Sequence, residues 1–244
     1  MFSLADRRAL VTGGGSGIGQ AIAGALADAG AEVVLVGRNR ERLEQACQSI
    51  GPAASLAAAD LALRTEIDRL CDGIGDVDIL VNAAGINLRP PMDELTREDW
   101  DRTLAVNLTA PFELGQRLGP PMAARRWGRI LHIGSQQSWR AFGNSGGYGA
   151  AKAGLTGLTR SQAEAWSPHG VTVNCVIPGF VRTRMTEAIF VEQPERAEAL
   201  AQRTMIGRNG TPEDFRGVAV FLCSDEATFV TGQAIAVDGG FSAT

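Results

Sequence analysis

The sequence predicts an α/β fold: one domain built on a doubly wound, seven-stranded parallel sheet with helices on both faces. Three observations lead there. Short apolar runs recur along the 244 residues and alternate with stretches of helical spacing. A glycine-rich turn joins the first strand to the first helix. No repeat, low-complexity tract or linker divides the chain, whose length suits a single large domain.

The elements follow in order. Residues 8–11 are a short apolar strand that runs into Thr12-Gly13-Gly14-Gly15-Ser16-Gly17-Ile18-Gly19. Ile18, Ala21, Ile22, Ala25 and Leu26 then repeat at helical spacing, and Gly30 closes that helix. Residues 32–36 form a buried strand, 40–49 a helix, 53–59 a weak strand ending at Asp60, 62–72 a helix and 77–81 a strand. A long helix is expected near 97–118, interrupted by Pro120-Pro121. Residues 129–133 are a strand, 148–166 a helix, 171–176 a strand, 213–223 a helix and 234–237 a last short strand. The segment 180–211 follows neither period; an insertion beyond a strand end lies where open sheets bind ligands, so it is expected to be a substrate lid.

Composition narrows the function. The net charge of -4, with no basic run, argues against nucleic acid as a partner. Two histidines, His132 and His169, make a catalytic zinc site improbable, and no metal is expected. Cys47, Cys71, Cys175 and Cys223 are widely spaced, without a disulfide framework. No signal-type segment or membrane-length apolar run is evident, so the expected compartment is the cytoplasm.

A glycine turn between strand and helix lets backbone amides and the helix N-terminus face a diphosphate. Gly13, Gly17 and Gly19 are the spaced positions, with Gly15, Ser16 and Ile18 between them. The second strand ends at Gly37-Arg38-Asn39 without a carboxylate. An acid there would accept from a ribose diol, whereas an arginine favours a 2′-phosphate, so NADP is expected, with NAD possible. Two roles fit Asp60: reaching an adenine amino group beside Leu61, or capping the helix after it.

The chain has a single tyrosine, in Tyr148-Gly149-Ala150-Ala151-Lys152. Lys152 lies one helical turn away on the same face. An adjacent ammonium favours the phenolate, so Lys152 is expected to lower the Tyr148 pKa and fit it for acid/base chemistry. Ser135, thirteen residues earlier, follows a strand. Asn107, inside a helix, sits at a cost in helix propensity that hints at a specific hydrogen bond.

The ordered set of Thr12-Gly13 with Gly17 and Gly19, Asn82-Ala83-Ala84-Gly85, Asn107, Ser135, Tyr148 with Lys152, and Pro178-Gly179 with Thr183 resembles the short-chain dehydrogenase/reductase family over essentially the whole chain. The resemblance implies a Rossmann fold and NAD(P)-dependent hydride transfer to or from an alcohol or ketone. Tyr148 is then the acid/base, Ser135 holds the substrate oxygen, Lys152 binds the nicotinamide ribose, and Asn107 holds a relay water at a helix kink. Asn82 to Gly85 line the adenosine ribose. Pro178 and Gly179 border the nicotinamide, Val181 and Thr183 bind its carboxamide and the diphosphate, and hydride passes from the pro-S face. Ser16 stands where many NADP-preferring relatives carry a basic residue, so Arg38 must neutralise a 2′-phosphate largely alone.

Ser135, Gln137, Asn144, Tyr148 and Phe180 are the candidate substrate residues. The run 207–214 and the ending Val237-Asp238-Gly239-Gly240 resemble sugar-acid, polyol and 3-oxoacyl-carrier reductases, and Gly37-Arg38-Asn39 resembles gluconate 5-dehydrogenase-like members. That favours a small polyol, sugar or sugar acid, with a 3-oxoacyl thioester as runner-up. A non-catalytic nucleotide-binding regulator is the reading of another class; the presence of Ser135, Tyr148 and Lys152 opposes it. The resemblance also implies a homotetramer, a dimer of dimers.

Overall fold

In the computed structural model, which describes residues 2–243, the strands β1 (Arg8–Thr12), β2 (Glu32–Gly37), β3 (Ala54–Ala58), β4 (Ile79–Asn82), β5 (Gly128–Ile133), β6 (Val171–Pro178) and β7 (Ala234–Val237) form one sheet. Its order is β3-β2-β1-β4-β5-β6-β7, and every pairing is parallel. The chain reverses direction across the sheet between β3 and β4, so β1 and β4 flank the switch point where a crevice opens beyond their carboxyl ends.

Register turns the apolar runs into two cores. Leu10, Val34, Leu80, Ile130 and Val173 align across five strands on one face. They pack with α3 (Arg64–Ile74), α5 (Ala110–Ala124) and α6 (Gly146–Trp166). Val11, Leu35, Val81 and Leu131 align on the other face, against α1 (Gly17–Asp28), α2 (Arg40–Ile50) and α9 (Arg216–Cys223). Both faces being covered explains why the strands read as continuous apolar runs rather than alternating ones.

One step nearer the carboxyl ends, the first row turns polar: Thr12, Asn82, His132 and Cys175 align. His132 is fully buried between the Asn82 amide, 3.1 Å from Nδ1, and Gln162 Oε1 of α6, 3.0 Å from Nε2. This polar row supports the floor of the crevice.

Three helix boundaries depart from the expectation. The long helix is α4 (Arg97–Leu104), a π-helical turn Ala105–Thr109, and α5. Pro120 and Pro121 do not interrupt α5, which continues to Ala124. Both prolines and the carbonyl-bearing Gln116 and Arg117, one turn before, are exposed. Water can therefore solvate the carbonyls that the prolines leave unbonded. The helix expected from 62 starts at Arg64, because Asp60 Oδ1 accepts from Ala62 N at 3.0 Å and Leu63 N donates to Asp60 O, which makes a turn first. Asp60 thus caps that turn, while Leu63 occupies the helix N-cap. The 180–211 segment contains α7 (Glu187–Glu192) and α8 (Pro194–Gln202).

Burial lowers the His132 pKa from 6.5 to about 4, against a smaller raising effect of the Gln162 hydrogen bond. The unfolded chain therefore takes up this proton first, so the stability that goes with the neutral imidazole is full above pH 6.5 and is lost as the pH falls to 4. The effect amounts to on the order of 3 kcal/mol over that window. Urea unfolding of His132→Gln should show a flatter decline between pH 6.5 and 4 than the parent; parallel declines would remove His132 as the cause.

Candidate active site

A cavity of about 790 Å³ opens at the carboxyl ends of β1 and β4 and extends to the 180–211 segment. Its near end is the glycine turn. Gly13 has φ 69°, and a Cβ there would lie 2.9 Å from Ala83 O and from Ala84; at Gly19 it would lie 2.5 Å from Gly13 O. The turn can therefore close only without side chains. Gly15, Ser16, Gly17, Ile18 and Gly19 line the cavity with Gly13. Ser16 is the N-cap of α1 but makes no side-chain cap, which leaves first-turn amides to face an anion. This narrow cradle fits a dinucleotide diphosphate.

Thr12 ties the turn to the segment after β4. Its Oγ1 accepts from Ala83 N and Ala84 N, both at 3.1 Å, and donates to Val81 O. Ala83, Ala84 and Gly85 line the cavity; Asn82 does not, because its side chain turns into the sheet toward His132. That is a correction to the placement of Asn82 at a ribose. Arg38, Asn39, Asp60 and Leu61 line the far wall at the ends of β2 and β3. Asn39 Oδ1 also caps α2 by accepting from Arg42 N at 2.9 Å.

At the opposite end stand Ser135, Tyr148 and Lys152. Lys152 is buried and its Nζ donates to Ile133 O at 2.7 Å, two residues before Ser135. Burial brings its pKa down to about 8. Its ammonium lies 5.6 Å from the centre of the Tyr148 ring. The expectation that Lys152 lowers the phenol pKa is corrected here. Burial raises the Tyr148 pKa above its usual value, and the opposing effects come from the Ser135 hydroxyl, hydrogen-bonded to it, and the Arg89 guanidinium. Burial of the ring outweighs those two.

Asn107 sits in the π-helical turn, fully buried. Its Oδ1 accepts from Ile86 N at 2.9 Å and its Nδ2 donates to Ile86 O at 2.8 Å. The amide thus clamps the strand extension after Gly85, which explains a buried asparagine in a helix. Pro178, Gly179, Phe180, Val181 and Thr183 line the cavity from the end of β6. Their segment is held by pairing with Gly210: Arg182 N donates to Gly210 O and Gly210 N to Phe180 O. Phe180 stacks on Phe190 with ring centres 5.3 Å apart.

Of the substrate candidates, Gln137 and Phe180 line the cavity. Gln137 Oε1 is buried and has no hydrogen-bond partner among the described residues. Asn144 is corrected: it is exposed, with φ 56°, outside the cavity lining, and serves a left-handed turn position that asparagine tolerates.

The sequence reading missed Arg89 and Arg42. Arg89 is half-buried at the Tyr148 end and has no ion pair among the described residues. With its amide oxygen turned toward the guanidinium, Asn87 accepts from Arg89 Nε at 3.1 Å and Nη2 at 3.3 Å. Burial, then the nearby Arg196 charge, pushes the Arg89 pKa down. Its signal in the sequence was only its place after Gly85-Ile86-Asn87-Leu88; a cation without periodicity around it looks like any loop charge.

The family model described as "Enoyl-(Acyl carrier protein) reductase" matches residues 13–242. The chain belongs to the short-chain dehydrogenase/reductase family. It is 41% identical to gluconate 5-dehydrogenase of Gluconobacter oxydans, over 99% of this chain and 97% of that protein. It is 34% identical to a 3-oxoacyl-[acyl-carrier-protein] reductase of Rickettsia prowazekii, over 98% of each. Among solved structures, a gluconate 5-dehydrogenase from Burkholderia cenocepacia, in complex with NADP and tartrate, superposes with a TM-score of 0.91 at 37% identity, covering all of this chain and 98% of that one. Short-chain dehydrogenase/reductase membership makes this chain an oxidoreductase. Among the described residues, no helix is long and apolar enough to cross a membrane.

Removing the Thr12 hydroxyl leaves two amides of the 83–84 segment without their acceptor. Thr12→Val should lower stability by about 1–3 kcal/mol in urea titrations and weaken NADP binding in parallel. Retention of both would show that the hydroxyl does not hold this segment.

Proposed function

We propose that the chain moves a hydride between NADP(H) and the secondary alcohol or ketone of a small polyhydroxy compound, with a sugar acid as the preferred substrate. The observation that carries the acid is Arg89: a half-buried guanidinium without a counter-ion, close enough to Tyr148 to act on its pKa. A carboxylate is its natural partner, in a planar two-bond pairing. The buried, unpartnered Gln137 Oε1 calls for a donor such as a substrate hydroxyl. The similarity to gluconate 5-dehydrogenases supports the same reading. The 3-oxoacyl group of a thioester offers neither a carboxylate for Arg89 nor a hydroxyl donor for Gln137.

Nicotinamide, when bound, supplies the carbon that gives or takes the hydride. The remaining work falls to the chain. In reduction, Tyr148 delivers its proton to the substrate oxygen as negative charge develops there; in oxidation it takes that proton back. Ser135 donates to the same oxygen, a preorganised donor aimed at developing charge. Lys152, held by Ile133 O, projects from the same face of α6 and would hold the nicotinamide ribose. With a pKa of about 8, it exchanges a proton readily near neutrality. Asn107, whose amide is taken by Ile86, holds the strand extension after Gly85 in place beside Lys152. Gly13 to Gly19, Asp60, Leu61, Ala83 to Gly85 and Pro178 to Thr183 form the cofactor's bed. Val181 N makes no hydrogen bond among the described residues, which supports its role toward the carboxamide.

The residues 180–211 serve as lid over the single catalytic domain, with the Phe180–Phe190 stack as its apolar face. A homotetramer is supported by exposed Phe112 on α5, at the margin of that helix's buried stripe. A reducing cytoplasm is supported by four unpaired cysteines, of which burial pushes Cys71 and Cys175 up to about 11 and Cys223 to about 12.

Steady-state kinetics with gluconate and with the neutral polyol xylitol test this reading. Tyr148→Phe should abolish turnover on both while NADPH fluorescence still reports binding. Arg89→Ala should lower kcat/KM for gluconate about 100-fold and leave xylitol nearly unchanged. Equal effects on the two substrates would remove the carboxylate from the account, and an active Tyr148→Phe would remove the mechanism.

A further inference from the structure

The adenosine end of the cavity carries a second cation that the sequence reading did not use. Gly15, Ser16, Gly37, Arg38, Asn39 and Arg42 converge there, two guanidiniums and no carboxylate. Asp60, the one carboxylate lining the cavity among the described residues, follows β3, and its Oδ1 is engaged by Ala62 N. Arg40, between the two cations in sequence, is paired with Glu44 at 3.5 Å. Neither the Arg38 nor the Arg42 side chain has an ion pair or hydrogen bond among the described residues. Both are exposed.

Their positions are set by rigid parts. Arg38 leaves the end of β2. Arg42 lies in the first turn of α2, whose geometry is held by the Asn39 cap on its own amide. The phosphate turn passes directly beneath: a Cβ on Gly15 would sit 3.5 Å from Arg42 Cβ and 3.3 Å from Leu43 Cδ2. The arginine stem therefore spans the space between the turn and α2, with its head free to reach into the cavity. A phosphomonoester carries close to two negative charges near neutral pH and has three acceptor oxygens. One guanidinium satisfies one edge of it; a second, from another direction, satisfies the rest. The α2 N-terminus adds a favourable partial charge on the same side.

We propose that Arg42 and Arg38 together form a two-arginine clamp for the 2′-phosphate of the cofactor, with Arg42 supplying the charge that Ser16 does not. The inference rests on the NADP reading above and assigns a selectivity residue within it. The clamp discriminates NADP from NAD by binding the phosphate they do not share; it leaves the diphosphate and the nicotinamide untouched.

The test compares dissociation constants of the full chain for two matched pairs: NADPH with NADH, and 2′,5′-ADP with 5′-AMP. Arg42→Ala should weaken NADPH and 2′,5′-ADP by about ten- to hundred-fold, and NADH and 5′-AMP by less than about two-fold. Arg42→Lys should recover part of the loss, because it keeps the charge and loses the fork. The salt dependence of NADPH binding should become shallower in Arg42→Ala. Equal losses within each pair, or no loss at all, would overturn the clamp while the parent's preference for NADPH stands. A parent chain that binds NADPH no tighter than NADH would overturn the NADP reading, and the clamp with it.

Discussion

The hydrogen bond from Lys152 Nζ to Ile133 O organises the active site. It joins α6 to the carboxyl end of β5 inside an apolar interior, where an ammonium without a partner would not remain charged. Two residues after Ile133 comes Ser135; one helical turn before Lys152 comes Tyr148. A single contact thus sets the distance between a strand end and a helix face, and brings two hydroxyls from different elements to one point. The Ser138 hydroxyl, donating to Lys152 O at 2.9 Å, repeats the tie from the other side.

The same site shows why burial and activation are separate matters. A buried phenol holds its proton more tightly, so in the free protein the Tyr148 hydroxyl keeps its proton. That is the state that a reduction requires at its start. For the oxidation direction, the site must supply positive charge near the ring. Arg89 already acts in that sense, and the Lys152 ammonium lies 5.6 Å from the ring centre.

Much of the fold was legible because it rests on local pattern. Apolar runs, glycines and helical spacing located all seven strands within a few residues, since strands covered on both faces have no polar side to disguise them. Pro120 and Pro121 misled because their effect depends on which face of α5 they occupy, and that is a tertiary fact. Asp60 misled because a carboxylate at a strand end serves a turn as readily as a helix. In the site, Ser135, Tyr148 and Lys152 line one cavity; spacing alone placed only Tyr148 and Lys152 together, on one face of a helix. Asn82 and Asn144 were misplaced, one turned into the sheet by its His132 partner and the other spent on backbone conformation. Arg89 and Arg42 were invisible as site residues: nothing in a sequence separates a loop or helix arginine facing solvent from one facing a cavity. The Tyr148 pKa was misjudged because spacing reveals a neighbour's presence and says nothing of depth.

Because Tyr148 is the only tyrosine in the chain, its ionisation can be followed directly by tyrosinate ultraviolet absorbance, over the pH range in which circular dichroism shows the fold intact. The midpoint should lie above the ordinary phenol value of about 10 in the free protein and move down when NADP is bound. A free-protein midpoint at or below that value, or one that NADP leaves in place, would contradict a buried phenol that the cofactor complex activates.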